Sequence, residues 1–253
     1  MIIDTHAHLN MDTFQQDLKD VLDRATKADV KKIIVIGMDQ PSNLKAIELA
    51  EKNQGLYATA GIHPGHVNDD QNMGAVEQLL KHQKVVAIGE CGIDLYWQKD
   101  NLELQKEIFQ AHIDLALKHQ LPLVIHNRNA FDVIYDMLLP YKGKLKGVFH
   151  CFSSDLSDAY KAIDLGFYIG VDGPLTFKKA QDIKEIVLNI DLKHLLVETD
   201  SPFLAPMPFR GKRNEPAYLK YVVEYMATLK DVPTDKIKEV TSHNAITLFK
   251  LED

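Results

Sequence analysis

Eight short apolar runs punctuate this chain, and they constrain its fold more than any other feature. They are Met1–Ile3, Ile33–Gly37, Tyr57–Gly61, Val85–Gly89, Leu123–Ile125, Gly147–Phe149, Phe167–Val171 and Leu195–Val197. Several are β-branched and nearly continuous, as suits parallel strands buried on both faces. Amphipathic stretches lie between them. Thr13–Asp29 places Phe14, Leu18, Val21, Leu22 and Ala25 on one side, and Asn101–Gln120 carries Leu104, Ile108, Ala111, Ile113, Leu115 and Leu117. Ala130–Leu139, Leu156–Leu165, Ala180–Asn189 and Tyr218–Leu229 share that spacing, and Thr234-Asp235 is expected to cap a last helix over Lys236–Lys250. Repeated βα units imply a parallel sheet with right-handed crossovers. Eight of them within 253 residues favour a closed (β/α)8 TIM barrel, read as one domain over 1–253. An open doubly wound sheet is the alternative, disfavoured because no Gly-rich dinucleotide turn follows the first run.

The active face of such a barrel is the rim at the strand C-termini, and the ionisable residues of this chain collect there. The first run leads into Asp4-Thr5-His6-Ala7-His8, the third into Gly61-Ile62-His63-Pro64 and the fourth into Gly89-Glu90-Cys91-Gly92. The fifth ends at His126, the sixth at His150 and the eighth at Glu198-Thr199-Asp200-Ser201-Pro202. His6 and His8 stand two apart, so on a strand both imidazoles face one side. Imidazoles bind borderline divalent metals, and a carboxylate can bridge two cations while reducing their repulsion. His6, His8, Glu90 and Asp200 are therefore assigned to one ion. Glu90, His126 and His150 are assigned to a second, with Glu90 as the bridge. Two such ions clamp a phosphoryl or carbonyl oxygen and activate water. Asp200 is the expected general base.

The motifs, taken in order, resemble the TatD family of metal-dependent deoxyribonucleases. The resemblance rests on Asp4-Thr5-His6-Ala7-His8, Gly61-Ile62-His63-Pro64, Gly89-Glu90-Cys91-Gly92-Ile93-Asp94, His150-Cys151-Phe152-Ser153, Glu198-Thr199-Asp200-Ser201-Pro202 and Arg210-Gly211-Lys212-Arg213-Asn214-Glu215-Pro216, and it spans nearly the whole chain. It implies a TIM-barrel metallohydrolase that cuts DNA, with divalent-metal dependence, often Mg²⁺. It also implies His6, His8, Glu90, His126, His150 and Asp200 as the metal ligands. Cys91, Ser154 and Phe209 depart from residues common in the family, and none of them removes a ligand.

Around this centre, His63 is expected to donate a hydrogen bond to a phosphate oxygen rather than to ligate. Arg128, two residues beyond His126, is expected on the same rim, pairing with a phosphate or with a carboxylate such as Asp132. Arg210, Lys212 and Arg213 form a tight basic cluster expected to touch a DNA backbone, the alternatives being a solvated loop charge run or a pairing with Glu215. Asp94 is expected to orient its loop or a ligand. One of Tyr96 and Trp97 is a candidate for stacking on a base, with packing over a helix end as the equal alternative. Cys91 and Cys151, each following a proposed ligand, are expected to point away from the metals.

The net charge of −7 gives no global field for a polyanion, so binding must come from local cations and metal. Two cysteines do not make a secreted disulfide scaffold, and neither a signal peptide nor a membrane span is seen. A cytoplasmic protein with no obligate protein partner is the expectation. The leading function is a deoxyribonuclease, of 3′ exonuclease mode, with two divalent ions (Mg²⁺, Mn²⁺ or Zn²⁺) and DNA, or alternatively RNA, as substrate. The competing readings are a hydrolase of esters, amides or lactones, or a deacylase of aminoacyl-RNA, on the same fold. A non-catalytic metal-bound scaffold is a further alternative.

Overall fold

In the computed structural model, residues 1–252 are described. Eight strands pair in parallel in sequence order, each neighbour joined to the next. They are β1 (Ile2–Ala7), β2 (Val30–Val35), β3 (Leu56–Ala60), β4 (Val85–Asp94), β5 (Leu123–Arg128), β6 (Gly147–Phe149), β7 (Phe167–Val171) and β8 (Leu195–Val197). Helices alternate with them: α1 (Leu18–Lys27), α2 (Gln40–Lys52), α3 (Met73–Leu79), α4 (Leu102–His119), α5 (Phe131–Leu138), α6 (Leu156–Leu165), α7 (Gln181–Asn189), α8 (Leu219–Lys230) and α9 (Thr234–Phe249). This is the (β/α)8 arrangement that the apolar runs imply. No helix among the described residues is long and apolar enough to cross a membrane.

Two apolar layers follow from strand alternation. Ile3, Ile34, Tyr57, Val86, Val124, Val148 and Leu196 form one cluster with Leu248, Phe249 and Leu251, so the end of α9 stoppers the barrel opposite the strand C-termini. The other layer, with Ile33, Val35, Ile88, Cys91 and Ile125, meets the buried faces of α4 to α8. Burying a large aliphatic side chain contributes roughly 1.5–3 kcal/mol, so these layers fix the frame on which the rim is mounted.

Three features differ from the sequence reading. α2 and α3 were not anticipated. α2 nonetheless carries a readable start, because Asp39 accepts from the Ser42 N–H, Ser42 Oγ accepts from the Asp39 N–H, and Pro41 sits in the first turn. Thr234 and Asp235 lie inside the first turn of α9 and do not cap it; Pro233 precedes them. β4 runs five residues beyond its apolar core, to Asp94.

The barrel closes between β8 and β1 at the mouth. Ala7 bridges Ser201, the Asp200 N–H donates to His6 O at 2.9 Å, and the His8 N–H donates to Ser201 O at 2.7 Å. Buried Asp4 accepts from the Thr199 N–H and hydroxyl at 3.0 and 2.6 Å, locking the two segments in register.

Candidate metal centre

Glu90 organises the rim. The pairing of β4 with β5 slips between Ile88 and Cys91, so an extra residue bulges there and re-aims the chain. Gly89 sits in that bulge at φ +146°, and a Cβ on it would lie 2.6 Å from Val124 O, so only glycine fits. The Glu90 carboxylate then enters the mouth. Its Oε1 lies 2.8 Å from His150 Nε2, 2.9 Å from His126 Nδ1 and 3.5 Å from His63 Nε2. Its Oε2 lies 3.4 Å from His6 Nε2 and 3.8 Å from His8 Nε2. Asp200 Oδ1 completes the second group, 3.2 Å from His8 Nε2 and 3.5 Å from His6 Nε2. Each Glu90 oxygen faces a different set of imidazoles, as a bridging carboxylate does between paired cations.

The donor set fits divalent metal. The Nε2 atoms of His6 and His8 are 3.2 Å apart, a separation at which they share at most one proton. Two buried carboxylates stand beside them, and among the described residues neither pairs with a lysine or arginine. Three overlapping trios, His6–Glu90–His150, His6–His8–Asp200 and His63–Glu90–His126, hold their donor atoms within 4.8 Å of one another. Such nitrogen and oxygen donors suit borderline cations.

Protonation follows the same geometry. Burial alone would raise the Glu90 carboxyl, but His150, His63 and His126 outweigh it and hold it well below the carboxylate range. Asp200 is lowered too, because His8, His6 and His150 overcome its burial. Burial, then the charge on His150, brings His6 down to about 4, so it is neutral and its lone pair is free. His150 moves the other way. Burial pulls it down, yet Glu90, Glu198 and Asp200 carry it up to about 10. A cation binding there must displace that proton.

His63 reaches this group more closely than its spacing implied, but as a donor. Its Nδ1 accepts from the Gly65 N–H at 2.9 Å, so the ring proton resides on Nε2. Burial lowers its pKa to about 3, so the ring is neutral and Nε2–H points at Glu90 Oε1.

Asp94 connects the centre to the loop beyond β4. Its Oδ2 lies 3.1 Å from His126 Nε2, while Oδ1 accepts from the N–H groups of Tyr96 and Trp97 at 2.9 and 2.7 Å. A carboxylate behind a ligating imidazole fixes its tautomer and orientation. Glu198 stands behind His150 without a hydrogen bond to its ring. Its Oε1 accepts from the Cys151 N–H and lies 3.8 Å from His150 Nδ1, and its Oε2 accepts from the Thr5 hydroxyl. Burial pushes it up to about 8. A Cβ at Gly170 would come within 2.6 Å of that carboxylate.

The substrate residues divide. Arg128 lies over the Tyr96 ring at 5.2 Å and pairs with no carboxylate among the described residues; Asp132 faces Lys161 instead. In the basic cluster, one of the three residues has an internal partner. Arg213 is committed to α1, with both guanidinium nitrogens on Asp17 at 3.0 and 2.6 Å and one on Thr13 O. Glu215, its suggested partner, pairs with Arg24 at 2.7 and 2.8 Å. Arg210 packs over Phe177, Lys212 lies near the Phe209 ring, and neither these three nor Arg128 lines the metal cavity. Cys91 is buried in the layer outside the barrel, and burial raises its thiol well above the usual range. Asp172 was missed. It follows β7 directly, is buried, and burial together with Asp200 raises it to about 7. An acid immediately after an apolar run was the available signal.

Comparison with known proteins agrees with this geometry. The family described as "TatD related DNase" matches residues 3–250. The metal-dependent hydrolase YabD of Bacillus subtilis (strain 168) is 41% identical, over 99% of this chain and 100% of its own. The metal-dependent hydrolase YcfH of Escherichia coli (strain K12) is 35% identical, over 99% of this chain and 96% of its own. The crystal structure of YjjV, a TatD homologue from Escherichia coli K12, superposes with a TM-score of 0.94 at 32% identity, covering 99% of this chain and 98% of that one. With matches that run from the first strand into the last helix, the chain belongs to the TatD family of metal-dependent hydrolases.

Proposed function

We propose that this hydrolase is a deoxyribonuclease that removes nucleotides from a 3′ end using two divalent cations. The observation that carries the reading is Glu90, whose two oxygens serve two separate imidazole groups. His6, His8, Asp200 and Glu90 would hold one ion, and Glu90, His126 and His150 the other. Bound there, the pair supplies Lewis acidity and makes a water acidic enough to react near neutral pH.

The chain's own residues supply the rest. Asp200 is ionised and buried, so it can accept the proton released as water attacks phosphorus. His63 Nε2–H can donate to a non-bridging phosphoryl oxygen, where charge builds in the transition state. Arg128, free of carboxylates among the described residues, offers two parallel N–H groups to a flanking phosphate. In this reading phosphate recognition falls to His63 and Arg128, with Arg213 held by Asp17. The family description, "TatD related DNase", agrees with a phosphodiester substrate.

End-labelled single- and double-stranded DNA, incubated with Mg²⁺, Mn²⁺ or Zn²⁺, tests the reading. Stepwise shortening from the 3′ end is expected. Glu90→Ala and Asp200→Ala should each lower the rate by at least about 10³-fold, in line with the loss of a group acting in the transition state. Hydrolysis of simple esters with DNA and RNA left intact would overturn it.

A further inference from the structure

The loop after β4 is fixed in backbone but open in side chain. Asp94 accepts the Tyr96 and Trp97 N–H groups, and Gln105 on α4 donates to the carbonyls of Asp94 and Gln98 while accepting the Asp94 N–H. Yet the Trp97 indole, the largest side chain in the protein, is 72% exposed. Phe203, on the segment after β8, repeats the pattern. Its N–H donates to Asp200 O, its carbonyl accepts from Asn214 Nδ2, and its ring is 47% exposed. Phe203 meets His8 edge-to-face at 5.9 Å. Trp97 and Phe203 line the same cavity of about 460 Å³ as His63, Glu90, His126 and Asp200. Tyr96 is not available in the same way. Arg128 covers its ring, and the indole abuts it at 4.6 Å and 86°.

Exposing two aromatic rings costs apolar burial that both segments could have had. Exposed rings on a fixed backbone suit a flat apolar ligand, because the ordering cost of the backbone is met before binding. We propose that Trp97 and Phe203 form a stacking pair for one unpaired base, which seats the terminal nucleotide with its phosphate against Glu90's two ligand groups. The inference rests on the nuclease reading and narrows its substrate to single-stranded or frayed ends. A cavity of this size accommodates one nucleotide, so a paired end must open before it enters. Stacking accepts every base, so little sequence preference follows.

Trp97 is the only tryptophan, so intrinsic fluorescence reports on it directly. The probe is a single-stranded oligonucleotide with a phosphorothioate at its 3′-terminal linkage, compared with the same strand ending in an abasic residue. Both are titrated into metal-loaded protein. The base-bearing strand should quench Trp97 and bind about 5- to 100-fold more tightly than the abasic one, the span expected of one stacked base. By anisotropy of a labelled strand, Trp97→Ala and Phe203→Ala should erase that preference, and Trp97→Phe should keep most of it. Because Trp97 is exposed, its replacement leaves the core intact, which thermal melting checks. Equal affinity for the two strands in a protein that cleaves DNA overturns the stacking pair and leaves the nuclease reading standing. Absence of binding to either strand, with DNA uncleaved, overturns both.

Discussion

Two histidines show how one backbone amide decides what an imidazole does. In His63 the Gly65 N–H donates to Nδ1 and leaves Nε2–H as the donor facing the centre. In His112, on α4, the Ile62 N–H donates to Nε2 at 3.0 Å, and Nδ1–H donates to Ile108 O at 2.7 Å. His112 is fully buried, and burial lowers its pKa to about 4. The unfolded chain takes up that proton near pH 6.5, so between pH 6.5 and about 4 the unfolded state holds more protons. Stability from this group is thus intact above pH 6.5 and falls by roughly 3 kcal/mol as the pH drops to 4. Denaturant unfolding at pH 7 and pH 4 measures this, and His112→Asn should flatten the difference; an unchanged pH slope would contradict it. Asp94 permits a second test at the same scale. Asp94→Asn keeps the side chain's size but removes the charge behind His126, so metal affinity should fall by about 10- to 100-fold by calorimetry. Affinity equal to the parent's would show that His126 is oriented without it.

At the level of elements, the segment joining β8 to α8 is clamped to α1 by Arg213–Asp17 and Arg24–Glu215. Arg213→Ala should lower stability by about 1 kcal/mol and leave the salt dependence of oligonucleotide binding unchanged. Arg128→Ala should reduce the log–log salt slope by about 1, as loss of one phosphate contact does. The reverse pattern would return the basic cluster to the substrate. This contrast marks what sequence could and could not disclose. Parallel strands buried on both faces announce themselves as apolar runs, and ligands at their ends inherit that clarity. β6, β7 and β8 match their runs residue for residue. Arg213 could not be read, because its partner lies 196 positions away on another element. β4 was underestimated because Glu90 and Asp94 break its apolar pattern, although both are buried once the centre assembles. Polar residues inside a strand look like its end until their partners are known. α2 was missed despite its cap signals.

For the whole molecule, the centre is a point where five strands are tied together, so occupancy should register as global stability. A cation at a hundred times its dissociation constant adds about 2.7 kcal/mol per site, or roughly 5–10 °C in Tm for a chain of this size. Thermal melts in EDTA and in Mn²⁺ should differ by at least that much, with two ions bound per chain. Glu90→Gln should bring the stoichiometry below two, since one side chain serves both groups. Identical melts with and without Mn²⁺ would exclude a metal centre at the mouth.

The seam between the first and eighth strands has a consequence for how the protein is made. His6 and His8 stand 194 and 192 positions ahead of Asp200 in the chain. The same residues that zip the sheet shut also finish the ligand shell. A nascent or truncated chain lacking the eighth strand therefore carries half of a cage and no way to close it, so hydrolytic competence depends on that strand and the residues just after it.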